Sequence, residues 1–130
     1  PRKEFFSQID AANVDLKAFT NRFYKELCGA TLQPVLDTLL YIQNETDVHL
    51  EVTTLIIPGW NDSPAEIDAM TKWAVANLGP DVPWHFSAYH PTQQWNEAPP
   101  TQVETLLQAR SIAEQNGLRH IHLGNIRIAT

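Results

Sequence analysis

Asp15 and Lys17 stand two residues apart at the end of an apolar stretch, so an extended chain sends a carboxylate and an ammonium to the same side. Such a pair can share one polar ligand, or it can be an exposed ion pair where a strand meets its loop. A second stretch, Thr53-Thr54-Leu55-Ile56-Ile57, runs directly into Pro58-Gly59 and then Trp60-Asn61-Asp62. Glycine permits close backbone approach there, so a flat ligand can lie against the strand end through main-chain hydrogen bonds; the plainer reading is a tight turn. Tyr89-His90-Pro91 occupies the equivalent position after a third stretch. His90 can bond a ligand hydroxyl, move a proton, or cap its own loop. A second chemistry is open to His85, His120, His122 and Glu51, because imidazoles and a carboxylate can hold a divalent ion that activates water. Trp60, Trp73, Trp84 and Trp95 are too dispersed in sequence to announce a stacking box.

Four stretches must position these groups: Ala12–Leu16, Val48–Ile57, Trp84–Ala88 and His120–Leu123, each rich in β-branched, aliphatic or aromatic residues. Steps from Val14 to Val52, Phe86 and His122 are 38, 34 and 36 residues, the length of a βα unit. Between them lie legible helices. Ser63, Pro64 and Glu66 form an N-terminal signature and Gly79-Pro80 ends the helix Ala65–Leu78; Thr101 and Glu104 repeat the box, with Gly117 closing that helix. Thr20 caps a short helix ending at Cys28-Gly29, and Pro34 begins a longer one reaching Glu45. Pro1-Arg2-Lys3-Glu4-Phe5-Phe6 reads as the remnant of a helix entering the first strand.

Alternation within the strands selects among βα architectures. Leu50, Val52, Thr54 and Ile56 oppose His49, Glu51, Thr53 and Leu55, and the other strands repeat one aliphatic and one polar face. A parallel sheet covered on both sides gives continuous aliphatic runs. Polar faces turned toward each other, with helices outside, belong to a barrel or open barrel. The expected fold is therefore α/β, one domain over residues 1–130, its βα units forming half of a partial TIM-like (β/α) barrel. A full barrel takes about 250 residues, so a missing half would leave strand edges open to pairing with it or between copies.

Composition narrows the function. The 130 residues carry a formal charge of −6 without a Lys/Arg cluster, which argues against nucleic acid. No apolar run approaches the roughly 20 residues needed to cross a bilayer, and no basic segment leads into a hydrophobic one at the amino terminus. A single cysteine, Cys28, fits a reducing compartment and a cytoplasmic, soluble protein; beside Gly29 it reads as a packing residue.

Taken in order, Asp15-Leu16-Lys17, Thr53–Gly59 with Asp62, Tyr89-His90-Pro91 and Gly124-Asn125-Ile126 resemble the later part of radical S-adenosylmethionine (radical SAM) proteins. The resemblance is greatest to pyruvate formate-lyase activating enzyme homologues and the radical SAM component of the AmmeMemoRadiSam system. It implies a partial barrel that, with a [4Fe–4S] cluster, cleaves S-adenosylmethionine to a 5′-deoxyadenosyl radical acting on a protein or small-molecule substrate. By the same resemblance, Asp15 and Lys17 contact the polar part of S-adenosylmethionine, while Leu55, through its backbone, and His90 lie near its ribose and adenine. The Cys-x₃-Cys-x₂-Cys motif of the cluster is absent and is expected upstream of Pro1, on the amino-terminal half of the parent protein. Thr53 stands where glycyl-radical activases often carry an arginine, and no residue of this chain is identified as catalytic.

Overall fold

The computed structural model describes Glu4 and residues 8–126. Of the Pro1–Phe6 helix remnant, all but Glu4 lies outside the described residues. The order is β1 (Ala11–Asp15), α1 (Asn21–Phe23) running into a π-helical turn (Tyr24–Cys28), α2 (Gln33–Glu45), β2 (His49–Ile56), α3 (Pro64–Leu78), β3 (Trp84–Ala88), α4 (Val103–Gln115) and β4 (Ile121–Gly124). Their strands form one parallel sheet in the order β1-β2-β3-β4. Crossovers between parallel strands are right-handed, so a sheet that grows in one direction receives every helix on the same face. This is the barrel-type α/β arrangement that the two-faced strands predict.

The aliphatic faces meet those helices. Val52, Ile56, Trp84 and Phe86 are fully buried against Leu39, Ile42, Met70 and Leu106. On the opposite face Asn13, Asp15, His49, Glu51, Thr53, Leu55, His85, Ser87 and His122 are half-buried or exposed. Thr54 is the polar exception on the aliphatic face, with 0% exposure. Its hydroxyl donates to the Leu16 carbonyl at 2.7 Å and accepts from Trp84 Nε1 at 3.2 Å, so its burial leaves no polar group unmatched.

The helix signals hold with two differences. Thr20 accepts the Phe23 N–H at 3.2 Å, and Ser63 accepts that of Glu66, also at 3.2 Å, with Pro64 opening α3. The Glu66 carboxylate, however, reaches across to the Phe19 N–H at 2.9 Å, tying the loop after β1 to α3. Burial holds this carboxyl above the usual range, against the lowering effect of that N–H. Thr101 does not cap α4, whose N-cap is Gln102 without a side-chain bond. Thr101 Oγ1 instead donates to the Ile56 carbonyl at 2.6 Å and accepts the Tyr89 N–H at 2.8 Å. A buried hydroxyl offered two unpaired main-chain groups at strand ends satisfies both there, whereas the start of α4 has water available.

Among the described residues no helix is long and apolar enough to cross a membrane. Replacing Thr101 by valine keeps the shape but orphans the Tyr89 N–H, so Thr101→Val is expected to lower stability by about 1–3 kcal/mol in urea unfolding. An unchanged midpoint and slope would show that the bridge between β2 and the loop after β3 is dispensable.

Candidate functional site at the strand ends

Ladder register sets the polar face in rows. Asp15 pairs with Thr53, Thr53 with His85, and His85 with His122; one row toward the carboxyl ends, Leu55 pairs with Ser87 and Ser87 with Gly124. Lys17 lies just beyond β1, where the Leu16 N–H still bonds the Thr53 carbonyl at 3.0 Å. Lys17 Nζ is 4.0 Å from Asp15 Oδ2, with both side chains largely open to solvent. Leu55, at 39% exposure, is a large aliphatic side chain on the mainly polar face. The structure thus brings Asp15, Lys17 and Leu55 to neighbouring strand ends on one face.

His90 follows β3 and turns toward β4. Its Nε2 donates to the Asn125 carbonyl at 2.7 Å, which places the proton of a neutral ring on Nε2 and leaves Nδ1 as the acceptor. Asn125, with φ of 57°, donates from Nδ2 to the Ala88 carbonyl at 3.0 Å, so the two residues lace the ends of β3 and β4 together.

The turn after β2 contains the residue that sequence reasoning passed over. Asn61, at 1% exposure, accepts the Ile57 N–H at 2.6 Å and donates from Nδ2 to the carbonyls of Leu55 and Lys17 at 2.8 and 2.7 Å. Gly59 has a φ of 82°, which a glycine tolerates, and its N–H is accepted by Asp62 Oδ1 at 3.0 Å. On the other side of Lys17, its N–H is accepted by the buried Tyr24 hydroxyl at 2.9 Å. Burial of the ring pushes that hydroxyl above its ordinary pKa.

Deeper on the polar face, Glu51 receives both His85 Nε2, at 2.6 Å, and His49 Nε2, at 3.0 Å. The hydrogen bond from His85, then that from His49, draws the Glu51 carboxyl below its ordinary 4.5. His85 also stacks on His122, ring centroids 4.8 Å apart. His120 does not join them: its Nε2 is 3.6 Å from Asp81 at the amino-terminal end of the sheet. The set His85, His120, His122 and Glu51 therefore does not converge, and among the described residues no three His, Cys, Asp or Glu side chains are placed to hold a metal ion.

Two sequence expectations are corrected at the carboxyl-terminal rim. Cys28 is exposed, because Phe23 and Tyr24 take the inward positions of the short helical segment. The tryptophans are not all dispersed: Trp60 and Trp95 lie 6.4 Å apart, and Trp95 meets Tyr89 edge-on at 5.3 Å. This aromatic group packs with Ile57, Phe23 and Ala98 as a second apolar cluster. A cavity of about 240 Å³ opens between Lys17, Phe23, Leu27, Cys28, Ile57 and Trp95.

No protein-family model matches the chain. It is 38% identical over 118 residues to an uncharacterized protein of Methanocaldococcus jannaschii, covering 91% of this chain but only 35% of that protein's length. Among solved structures it is similar to a domain of a pyruvate-formate lyase-activating enzyme from Bacteroides vulgatus, with a TM-score of 0.78 at 16% identity, covering 95% of this chain and 73% of that one. It is also similar to a radical SAM methyltransferase from Sphaerobacter thermophilus, with a TM-score of 0.72 at 16% identity, over 88% of this chain and 34% of that one. The chain therefore shares the α/β fold of these two structures, with four βα-linked strands of a partial barrel.

The lowered Glu51 pKa fixes the sign of a pH effect. Its ionised form is favoured by folding, so the stabilisation is present above the ordinary carboxylate pKa and is lost as pH falls through the lowered one. The melting-temperature gap between the native protein and Glu51→Gln is expected near neutrality and should close on acidification. A gap independent of pH would locate the stabilisation elsewhere.

Proposed function

We propose that the chain is the later half of a radical SAM enzyme and that its β1–β3 strand ends form part of the S-adenosylmethionine site. The observation that carries this reading is the placement of the Asp15–Lys17 pair beside exposed Leu55 at the carboxyl ends of adjacent strands, where parallel α/β folds bind ligands. The residues fit that cofactor. A carboxylate and an ammonium 4.0 Å apart complement the ammonium and carboxylate of an amino acid, and Leu55 offers an apolar surface for a flat base. His90 Nδ1 can accept from a ribose hydroxyl while its Nε2 holds the ring to β4.

The same chain does not fit an iron–sulfur cluster, since Cys28 is its one cysteine and such a cluster takes several thiolates. Its ligands are assigned to an upstream half, which also extends the partial barrel from the edge of β1. With cluster and cofactor bound, that assembly supplies hydrogen-abstracting radical chemistry. The part played by this chain is to orient S-adenosylmethionine and to line the lumen with Asn13, Glu51, His85 and His122. The reading extends to a cytoplasmic, activating-enzyme-like protein of the AmmeMemoRadiSam type, acting on a protein or small-molecule substrate.

Two measurements test this. With the upstream sequence attached and iron and sulfide reconstituted anaerobically, 5′-deoxyadenosine should form from S-adenosylmethionine. Asp15→Ala/Lys17→Ala should lower the yield by about tenfold or more, as the loss of two charged contacts implies. A folded, cluster-loaded protein that makes none would sink the proposal. The isolated chain, with open sheet edges, should associate with the upstream half or with itself in light scattering; a strict monomer indifferent to the upstream half would refute that assembly.

A further inference from the structure

We infer that Asn61 is the positioning residue of the S-adenosylmethionine site, holding the main chains of Lys17 and Leu55 in register; this rests on the cofactor reading above. The β1–β2 ladder ends with the Asp15–Thr53 pair and one further bond from the Leu16 N–H. Beyond it no strand-to-strand rung fixes Lys17 against Leu55. The Asn61 amide does so, donating one hydrogen to each carbonyl while its oxygen takes the Ile57 N–H.

A turn-closing asparagine needs only part of this. The bond to Ile57 N–H, together with the Asn61 N–H on the Ile57 carbonyl at 3.2 Å, already closes the turn. The bond to Lys17, 44 residues away, contributes nothing to the turn and ties β1 to it. With Tyr24 holding the Lys17 N–H, both main-chain groups of Lys17 are bonded to buried side chains, and only its side chain remains adjustable. The backbone of Leu55, the other proposed contact, is fixed by the same amide. Misplacement by about 1 Å is enough to weaken an oriented site severely, so this buried amide, acting one residue beyond the Thr54 hydroxyl on the Leu16 carbonyl, sets the spacing between the charged pair and the apolar surface.

Asn61→Asp separates the two roles. An ionised aspartate keeps the acceptor for Ile57 but loses both donors. In the cluster-loaded protein with its upstream half, Asn61→Asp should weaken S-adenosylmethionine binding by about tenfold or more in calorimetric titration, as expected for lost hydrogen bonds and orientation. In a double-mutant cycle its effect should be strongly non-additive with Lys17→Ala, because both act on one contact. Protonating the aspartate restores one donor, so binding should partly recover at lower pH relative to the native protein. Asn61→Ser, which has no net charge, serves if the aspartate fails to fold. Native binding with unchanged affinity in a folded variant, or strict additivity with Lys17→Ala, overturns the positioning role and leaves the cofactor reading standing. Absence of binding in the native protein overturns both.

Discussion

Everything in this molecule follows from a sheet that grows in one direction. Each right-handed crossover returns on the same side, so among the described residues the helices cover one face and leave the other bare. The strands obey that asymmetry residue by residue. Val52, Trp84 and Phe86 disappear into the helical layer, while Glu51, Thr53 and His85, their immediate neighbours in sequence, stay on the polar side. Because side chains alternate, a slip of one residue in any strand would exchange the two sets, so register is strongly specified.

The strand ends are secured differently from the strand middles. Inside the sheet the ladder carries the strands, with side-chain bonds such as Glu51–His85 added to it, whereas at its carboxyl edge the connections fall to individual side chains: Asn61 between β1 and β2, Thr101 between β2 and the loop after β3, Asn125 and His90 between β3 and β4. This is the edge at which Asp15, Lys17 and Leu55 stand. Side-chain hydrogen bonds gather at this edge, and they come from polar groups that the aliphatic core cannot supply.

Much of the fold was legible because its signals are local. Alternation placed the two faces, spacing of β-rich stretches gave the βα rhythm, and Thr20, Ser63-Pro64 and Gly79 marked helix ends within a few residues of themselves. Strand limits differed by one residue at each end, and those of Trp84–Ala88 not at all. What escaped depends on partners far along the chain. Asn61 reads as a turn residue until Lys17 is seen across from it, Glu66 reads as half of a capping box until Phe19 claims its carboxylate, and Thr101 reads as a cap until Ile56 and Tyr89 do. The meeting of Trp60 with Trp95 is likewise set by loops that periodicity does not describe.

The consecutive strand order has a consequence for how such a chain is made. Every strand lies beside the one synthesised just before it, so each unit can dock as it emerges, without waiting for a distant partner. The growing edge is then always the most recent strand, a single open seam handed forward along the nascent polypeptide. Assembly of this kind resembles the stacking of repeats, where neighbours alone determine stability and length can change by whole units. A sheet built so can gain or lose a βα unit at either end while the rim of the remaining units keeps its spacing.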